Sequence, residues 1–233
     1  MTPTVDGRGH LLLVHGAWHG SWCWQQLEPH LAADGWTVST IDLPSVADDS
    51  GTAGMFDDAR AVRERLDGLD GPVVVLAHSY GGVPTAQAAA GAPNVSQLIF
   101  LAAYMLEVGE SLASPVGWDL PEQGEGTIPP PPAREALYAD LSDEDAAQAE
   151  GRLRPHSIRS LTERLTAAAW TTIPSAYVHC EKDQILPPLI DRMAQERAAA
   201  VYRLPSSHSP FLSMPAELAS LIGSIAGTTA SRP

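Results

Sequence analysis

The chain is short of cysteine, short of positive charge and without any long apolar run. Two cysteines, Cys23 and Cys180, stand among 233 residues. That provides no disulfide framework and suits a reducing compartment. Lys and Arg number 14 against 28 Asp and Glu, a formal net charge of −14. A phosphate-binding surface needs the opposite sign, so nucleic acid is excluded as a partner class and anionic lipid is disfavoured. The opening residues have neither the cationic start nor the apolar stretch of a secretory signal. Apolar runs elsewhere are strand-sized, too short to cross a bilayer. These features predict a cytoplasmic protein with no nucleic-acid or membrane partner, and they leave the oligomeric state open.

What is present is apolar content, 44% of residues, enough for a substantial core in one domain spanning 1–233. Short apolar runs alternate with helix-like segments, as in a parallel sheet with crossover helices. Strands are predicted at 11–14, 36–41, 73–77 and 98–102, with helices at 22–33, 56–69 and 80–90 between them. The rhythm then stops. Residues 107–170 show no strand pattern, carry Pro129 to Pro132 and continue into Ala- and charge-rich helical sequence at 134–138, 143–153 and 160–169. They read as a small helical cap inserted after the fourth strand; an extended Pro-rich loop is the plainer alternative. Strands at 176–180 and 200–204, a helix at 190–197 and a last helix at 215–225 resume the pattern. The tail, 227–231, is expected to fray.

The most informative segment is Leu76-Ala77-His78-Ser79-Tyr80-Gly81-Gly82, directly after Val73-Val74-Val75. A β-branched run leading into small-x-Ser-x-Gly is the form of a nucleophile elbow, a tight strand-to-helix turn that presents a serine. Ala77 stands where the formal motif has Gly. A serine hydroxyl attacks only when a base takes its proton and a third group orients that base. Of eight histidines, His208 fits best, in the loop Pro205-Ser206-Ser207-His208-Ser209-Pro210 after the last strand. Ser, acid, His is also the chain order expected of this architecture. His78 should point away from Ser79, His156 reads as a surface group of the cap, His10 and His30 as exposed, and His179 as a core or supporting group. The acid should follow the strand at 176–180. Asp183 is the choice, Glu181 sits too near the strand end, and Glu107 and Glu110 are the alternatives after the preceding strand.

A developing oxyanion needs preorganised N–H donors. The Tyr80 amide opens the helix after Ser79, and the Ala17 amide lies in the loop His15-Gly16-Ala17-Trp18-His19-Gly20-Ser21-Trp22 after the first strand. His15 and His19 have the spacing of metal ligands but lack a third ligand, so no metal is expected. Trp18, Trp22, Tyr104, Trp118 and Trp170 are candidates to line an apolar substrate pocket, although such a residue alone is more often simple core packing than substrate contact.

The loop from His15 to Trp22, the elbow from Ala77 to Gly82, Glu181-Lys182-Asp183 and Ser207-His208-Ser209-Pro210 together resemble the α/β-hydrolase superfamily. The resemblance runs from Leu11 to Ile225 and is weakest in the cap. Its nearest branch is the one holding plant methylesterases, hydroxynitrile lyases and related bacterial esterases. The resemblance implies the α/β-hydrolase fold with a six-stranded, mostly parallel sheet flanked by helices, and a Ser79–Asp183–His208 triad. It also implies a carboxylic ester hydrolase without a cofactor, acting on a small, largely apolar ester through an acyl-enzyme. The hydroxynitrile lyases of that branch carry Thr after the first His of the oxyanion loop and Lys after the catalytic His. Here those positions are Gly16 and Ser209, which favours ester hydrolysis over carbon–carbon lysis. A ligand receptor or a non-hydrolytic natural-product catalyst on the same scaffold is the reading from another class. The cap is expected to set selectivity more than catalysis.

Overall fold

A computed structural model describes residues 7–47, 51–121, 124–185 and 187–229. The strands are β1 (Gly9–Val14), β2 (Trp36–Ile41), β3 (Val73–His78), β4 (Val95–Leu101), β5 (Thr127–Ile128), β6 (His156–Ser157), β7 (Ser175–Cys180) and β8 (Ala200–Leu204). Six of them form one sheet in the order β2-β1-β3-β4-β7-β8, every pairing parallel. The central strand β3 is buried at every position, as a strand covered by helices on both faces must be. The principal helices are α1 (Glu28–Ala33), α2 (Met55–Asp67), α3 (Gly82–Ala89), α4 (Asp143–Glu150), α5 (Ile158–Thr162), α6 (Pro187–Arg197) and α7 (Pro215–Thr229).

Alternation along the strands divides the core. Val73, Val75 and Ala77 face a cluster with Val62 and Leu66 of α2 and Val83 of α3. Val74 and Leu76 face the other cluster, with Leu31 of α1 and Leu218 and Ile222 of α7. The loops after β1, β3, β7 and β8 therefore leave from one edge, the carboxyl edge, where ligands bind in open parallel sheets. Cys23 and Cys180 are buried and free. Among the described residues no helix is long and apolar enough to cross a membrane.

Several elements depart from the sequence expectation. The helix expected at 22–33 is broken: a 3-10 turn at Ser21–Trp24 precedes α1, which starts at Glu28 so that Pro29 falls in its first turn. Proline removes an N–H donor there at no cost to helical bonding. β4 begins at Val95, earlier than expected. In the insertion between β4 and β7, the helix expected at 160–169 stops at Thr162. The Leu165 backbone is taken instead by residues 109 and 110, with Gly109 N–H donating to Leu165 O and Leu165 N–H to Glu110 O, at 2.8 and 2.9 Å. The insertion also holds a ribbon that no pattern announced, β5 paired antiparallel with β6. α7 continues through Thr229, further than the expected end at 225; Ala230 and Ser231 lie outside the described residues.

Candidate active site

β3 runs directly into a strained turn. Ser79 has φ +52°, a left-handed conformation that an ordinary side chain adopts only when its surroundings impose it. Its carbonyl accepts a hydrogen bond from the Tyr104 amide at 3.2 Å. The glycines after it are required by close approach. A Cβ on Gly81 would lie on the His15 carbonyl oxygen, and one on Gly82 would come within 2.6 Å of the Tyr104 carbonyl. Ala77 is a sheet residue paired with Val14 and Phe100, where a methyl group fits.

Two other strand ends supply the partners. Asp183 follows β7 and His208 follows β8, and both are buried. His208 Nδ1 donates to Asp183 Oδ2 at 2.6 Å, and Asp183 Oδ1 accepts from the Ile185 amide at 2.8 Å. Burial is the largest influence on Asp183 and pushes its carboxyl up. The electrostatic interaction with His208 and the hydrogen bonds from His208 and Ile185 together outweigh it, and the carboxyl is held below its ordinary value. The bond from Nδ1 fixes one tautomer, leaving Nε2 as the acceptor. Ser79 and His208 line the same cavity.

The loop after β1 forms the facing wall. A side chain at Gly16 would force its neighbours to shift, because a Cβ would meet Ser79 Cβ at 2.8 Å and His78 Nδ1 at 2.9 Å. The amides of Ala17 and Tyr80 donate to no acceptor among the described residues, and both residues line the cavity beside Ser79. The two loop histidines are structural. His15 Nδ1 donates to Gly16 O and its Nε2 accepts from the Leu43 amide, at 2.8 and 3.0 Å. His19 Nδ1 donates to Ala17 O at 2.8 Å. Burial holds both imidazoles below their ordinary value, His19 at about 3, so both are neutral. Among the described residues no group of three His, Cys, Asp or Glu could hold a metal ion.

The cavity holds about 310 Å³. Trp18, Tyr104 and Trp118 line it, with Leu112, Pro131, Ala136 and Leu161 from the insertion and Gln184 and Ile185 after β7. No Lys or Arg is among these lining residues. Trp22 and Trp170, expected here, stand elsewhere. Trp22 lies in a separate groove under the Arg152 guanidinium, 4.5 Å from its ring. Trp170 packs on the core and donates to Leu106 O at 2.9 Å. Amphipathic aromatics satisfy such roles as readily as substrate contact. Glu107 and Glu110 pair with Arg197 at 3.4 and 3.2 Å, and Glu181 is exposed.

Sequence reasoning missed a buried polar cluster beneath the elbow. Tyr80 O–H donates to Asp58 Oδ2 at 2.5 Å, and Ser45 donates to the same carboxylate from N–H and O–H, at 2.8 and 2.6 Å. His156, read from sequence as a surface group, is fully buried. Its ring meets the Tyr80 ring edge-on at 4.5 Å and its Nε2 bonds Ser160 Oγ at 2.6 Å. Burial lowers His156 to about 3 and raises Asp58 to about 6. The helical spacing of Asp58 among Met55, Ala59 and Val62 was the available signal: it puts a carboxylate on the apolar face of α2.

The model of the Alpha/beta hydrolase family matches residues 11–221. Pheophorbidase of Raphanus sativus is 30% identical over 91% of this chain and 92% of its own length. Methylesterase 9 of Arabidopsis thaliana is 28% identical over 90% of this chain and 94% of its own length. Among solved structures, a pyrethroid hydrolase from Sphingobium faniae superimposes with a TM-score of 0.78 at 25% identity, over 96% of this chain and 99% of that one.

Proposed function

For a chain that belongs to the alpha/beta hydrolase family, we propose serine esterase chemistry: cleavage of a carboxylic ester of a small, largely apolar substrate through an acyl-enzyme. One observation carries the reading. A buried imidazole, oriented by a carboxylate at 2.6 Å, shares an apolar cavity with a serine on a strained elbow. His208 Nε2 takes the Ser79 proton as Oγ attacks the ester carbonyl. The oxyanion that forms is met by the Ala17 and Tyr80 amides. His208 then returns the proton to the leaving alcohol, and Asp183 stabilises the imidazolium in between. A water deprotonated by His208 releases the acid and restores Ser79. No cofactor enters these steps.

Residues 107–170 serve as the cap over this cavity. Their contribution to its lining is apolar, and among the described residues that line it no cation is present to hold a substrate carboxylate; a neutral acyl group is the fitting occupant. Gly16 and Ser209 support hydrolysis over cyanohydrin lysis. A threonine at 16 would collide with the nucleophile itself, and a departing cyanide would find no ammonium where Ser209 stands. The test is a fluorophosphonate probe together with short p-nitrophenyl esters. Wild type should label at Ser79 and turn over ester, and Ser79→Ala should fold normally and lose on the order of 10⁶ in rate. A Ser79→Ala protein retaining a tenth of the activity would remove the assignment. A wild type that neither labels nor hydrolyses would leave a binding role.

A further inference from the structure

One turn of the insertion, residues 138–141, touches both loops of the proposed machinery. The turn closes on itself, Leu141 N–H donating to Tyr138 O at 3.1 Å. From it Asp140 reaches the loop that carries His208. Asp140 Oδ2 accepts from the Ser207 amide at 2.8 Å and from Ser213 O–H at 3.0 Å, and Oδ1 accepts from Ser207 O–H. Ser207 immediately precedes His208, and Ser213 ends the helical turn Pro210–Ser213 just after it. The carboxylate therefore brackets the histidine from both sides.

Two residues before Asp140, Tyr138 reaches the other loop. Its O–H donates to His19 Nε2 at 2.9 Å, while His19 Nδ1–H donates to the Ala17 carbonyl at 2.8 Å. Tyr138 and His19 are buried. With His19 neutral, the proton inventory permits only this direction: phenol to Nε2, Nδ1 to carbonyl. The Ala17 carbonyl, in the peptide unit next to the one that carries the Ala17 amide, is thereby held.

We propose that the turn at residues 138–141 is a positioning unit for catalysis, Asp140 fixing the His208 loop and Tyr138, through His19, the loop that carries the Ala17 amide. The inference rests on the esterase reading for its consequence and departs from the expectation that the cap acts on selectivity more than on catalysis. Neither side chain is among the groups lining the cavity, so their removal should act on kcat and leave KM nearly untouched.

The experiment compares wild type with Asp140→Ala, Asp140→Asn and Tyr138→Phe in the full chain. It measures kcat and KM on a p-nitrophenyl ester, the rate of fluorophosphonate labelling, melting temperature, and the downfield Nδ1 proton of His208 by NMR. A misplacement of about 1 Å costs about 10²-fold in rate, so Asp140→Ala should lose about that in kcat and in labelling rate, with KM within roughly threefold. The Nδ1 resonance should broaden or move, since the imidazole no longer meets Asp183 in one geometry. Asp140→Asn keeps an acceptor for one Ser207 donor and turns an NH₂ towards the other, so it should fall between. Tyr138→Phe should lower kcat less and leave the His208 resonance in place, because it acts on the other loop.

Asp140→Ala with kcat unchanged and only a lower melting temperature would overturn the proposal, as would a rise in KM alone. If Asp140→Ala does not fold, Asp140→Asn decides by the same readings. The NMR arm uses no substrate: a wild type that hydrolyses nothing would defeat the esterase reading, whereas an unperturbed His208 resonance in the Asp140 variants would defeat the positioning claim.

Discussion

Replacing Gly16 with alanine is the smallest change that tests the site's geometry. The added methyl would stand 2.8 Å from Ser79 Cβ, 2.9 Å from His78 Nδ1 and 3.2 Å from the His78 carbonyl, all inside the 3.4 Å at which ordinary contact begins. None of these neighbours yields easily. Ser79 is fixed on the elbow by the bond from Tyr104 to its carbonyl. The His78 ring is held by its Nε2–H, which donates to the His208 carbonyl at 2.9 Å. If instead the loop retreats, it carries the Ala17 amide away. Every relaxation separates the proposed nucleophile from its proposed oxyanion donor or disturbs the His208 loop. Overpacking a tight site costs about 1–3 kcal/mol. A displacement of about 1 Å between reacting groups costs about 10²-fold in rate. Gly16→Ala should therefore lose about that factor in kcat on a short p-nitrophenyl ester, with KM little changed and a lower melting temperature. Gly16→Thr should be worse on both counts and should gain no cleavage of mandelonitrile. Wild-type kcat and an unchanged melting temperature in Gly16→Ala would show that the backbone has slack. The steric argument against a lyase residue at this position would then fail.

Asp183→Asn should lower kcat by about 10⁴ by presenting an N–H where His208 needs an acceptor; Glu107→Gln and Glu110→Gln, which only loosen Arg197, should cost little, and the reverse order in the assay would mean the acid is misplaced. Trp118→Ala should alter KM and acyl-length preference while Trp22→Ala does not, because only Trp118 lines the cavity; identical ester profiles for both would remove the cap from specificity. Burial lowers His15, His19, His78 and His156, so the unfolded chain takes up protons first as pH falls below the ordinary 6.5. Stability present above that value should drain away towards pH 3, as urea denaturation at a series of pH values would show. Asp58, raised to about 6, works in the opposite direction between about pH 6 and 4 and offsets up to about 3 kcal/mol at about 1.4 per unit, so Asp58→Asn should steepen the loss there; a shallower slope would contradict its burial as an acid.

How much of this could be read in advance depended on what held each element in place. Strand β3 and its turn were legible because their causes are local. A β-branched run has one use between helices, and the small residues at 81 and 82 are demanded by backbone contacts with the adjoining loops. Asp183 and His208 were legible one step further out, since parallel strands deliver their loops to one edge whatever the loops contain. Trp22 and Trp170 failed at the same step: an indole needs burial and one acceptor, and Arg152, or the Leu106 carbonyl and the core, serve as well as a cavity.

Apart from the helices at Ala133–Ala136 and Asp143–Glu150, which stand where helical sequence was expected, the insertion was opaque for a physical reason. The rest of its backbone is organised by what it lies upon, not by its own periodicity. Leu165 pairs with residues 109 and 110 instead of continuing a helix. The Trp18 carbonyl accepts from the Arg154 amide, and the Trp18 indole donates to Ile128 O. His156 is buried because Tyr80 and Trp18 present ring edges to it. A sequence pattern reports a segment's face only when that segment has one dominant face to report. Here the faces are supplied by the elbow and the loop after β1, so the residues that dock the insertion also contact the proposed catalytic parts. That overlap is why Asp140 and Tyr138, unremarkable in the sequence, are the positions at which cap seating and catalytic geometry become one variable.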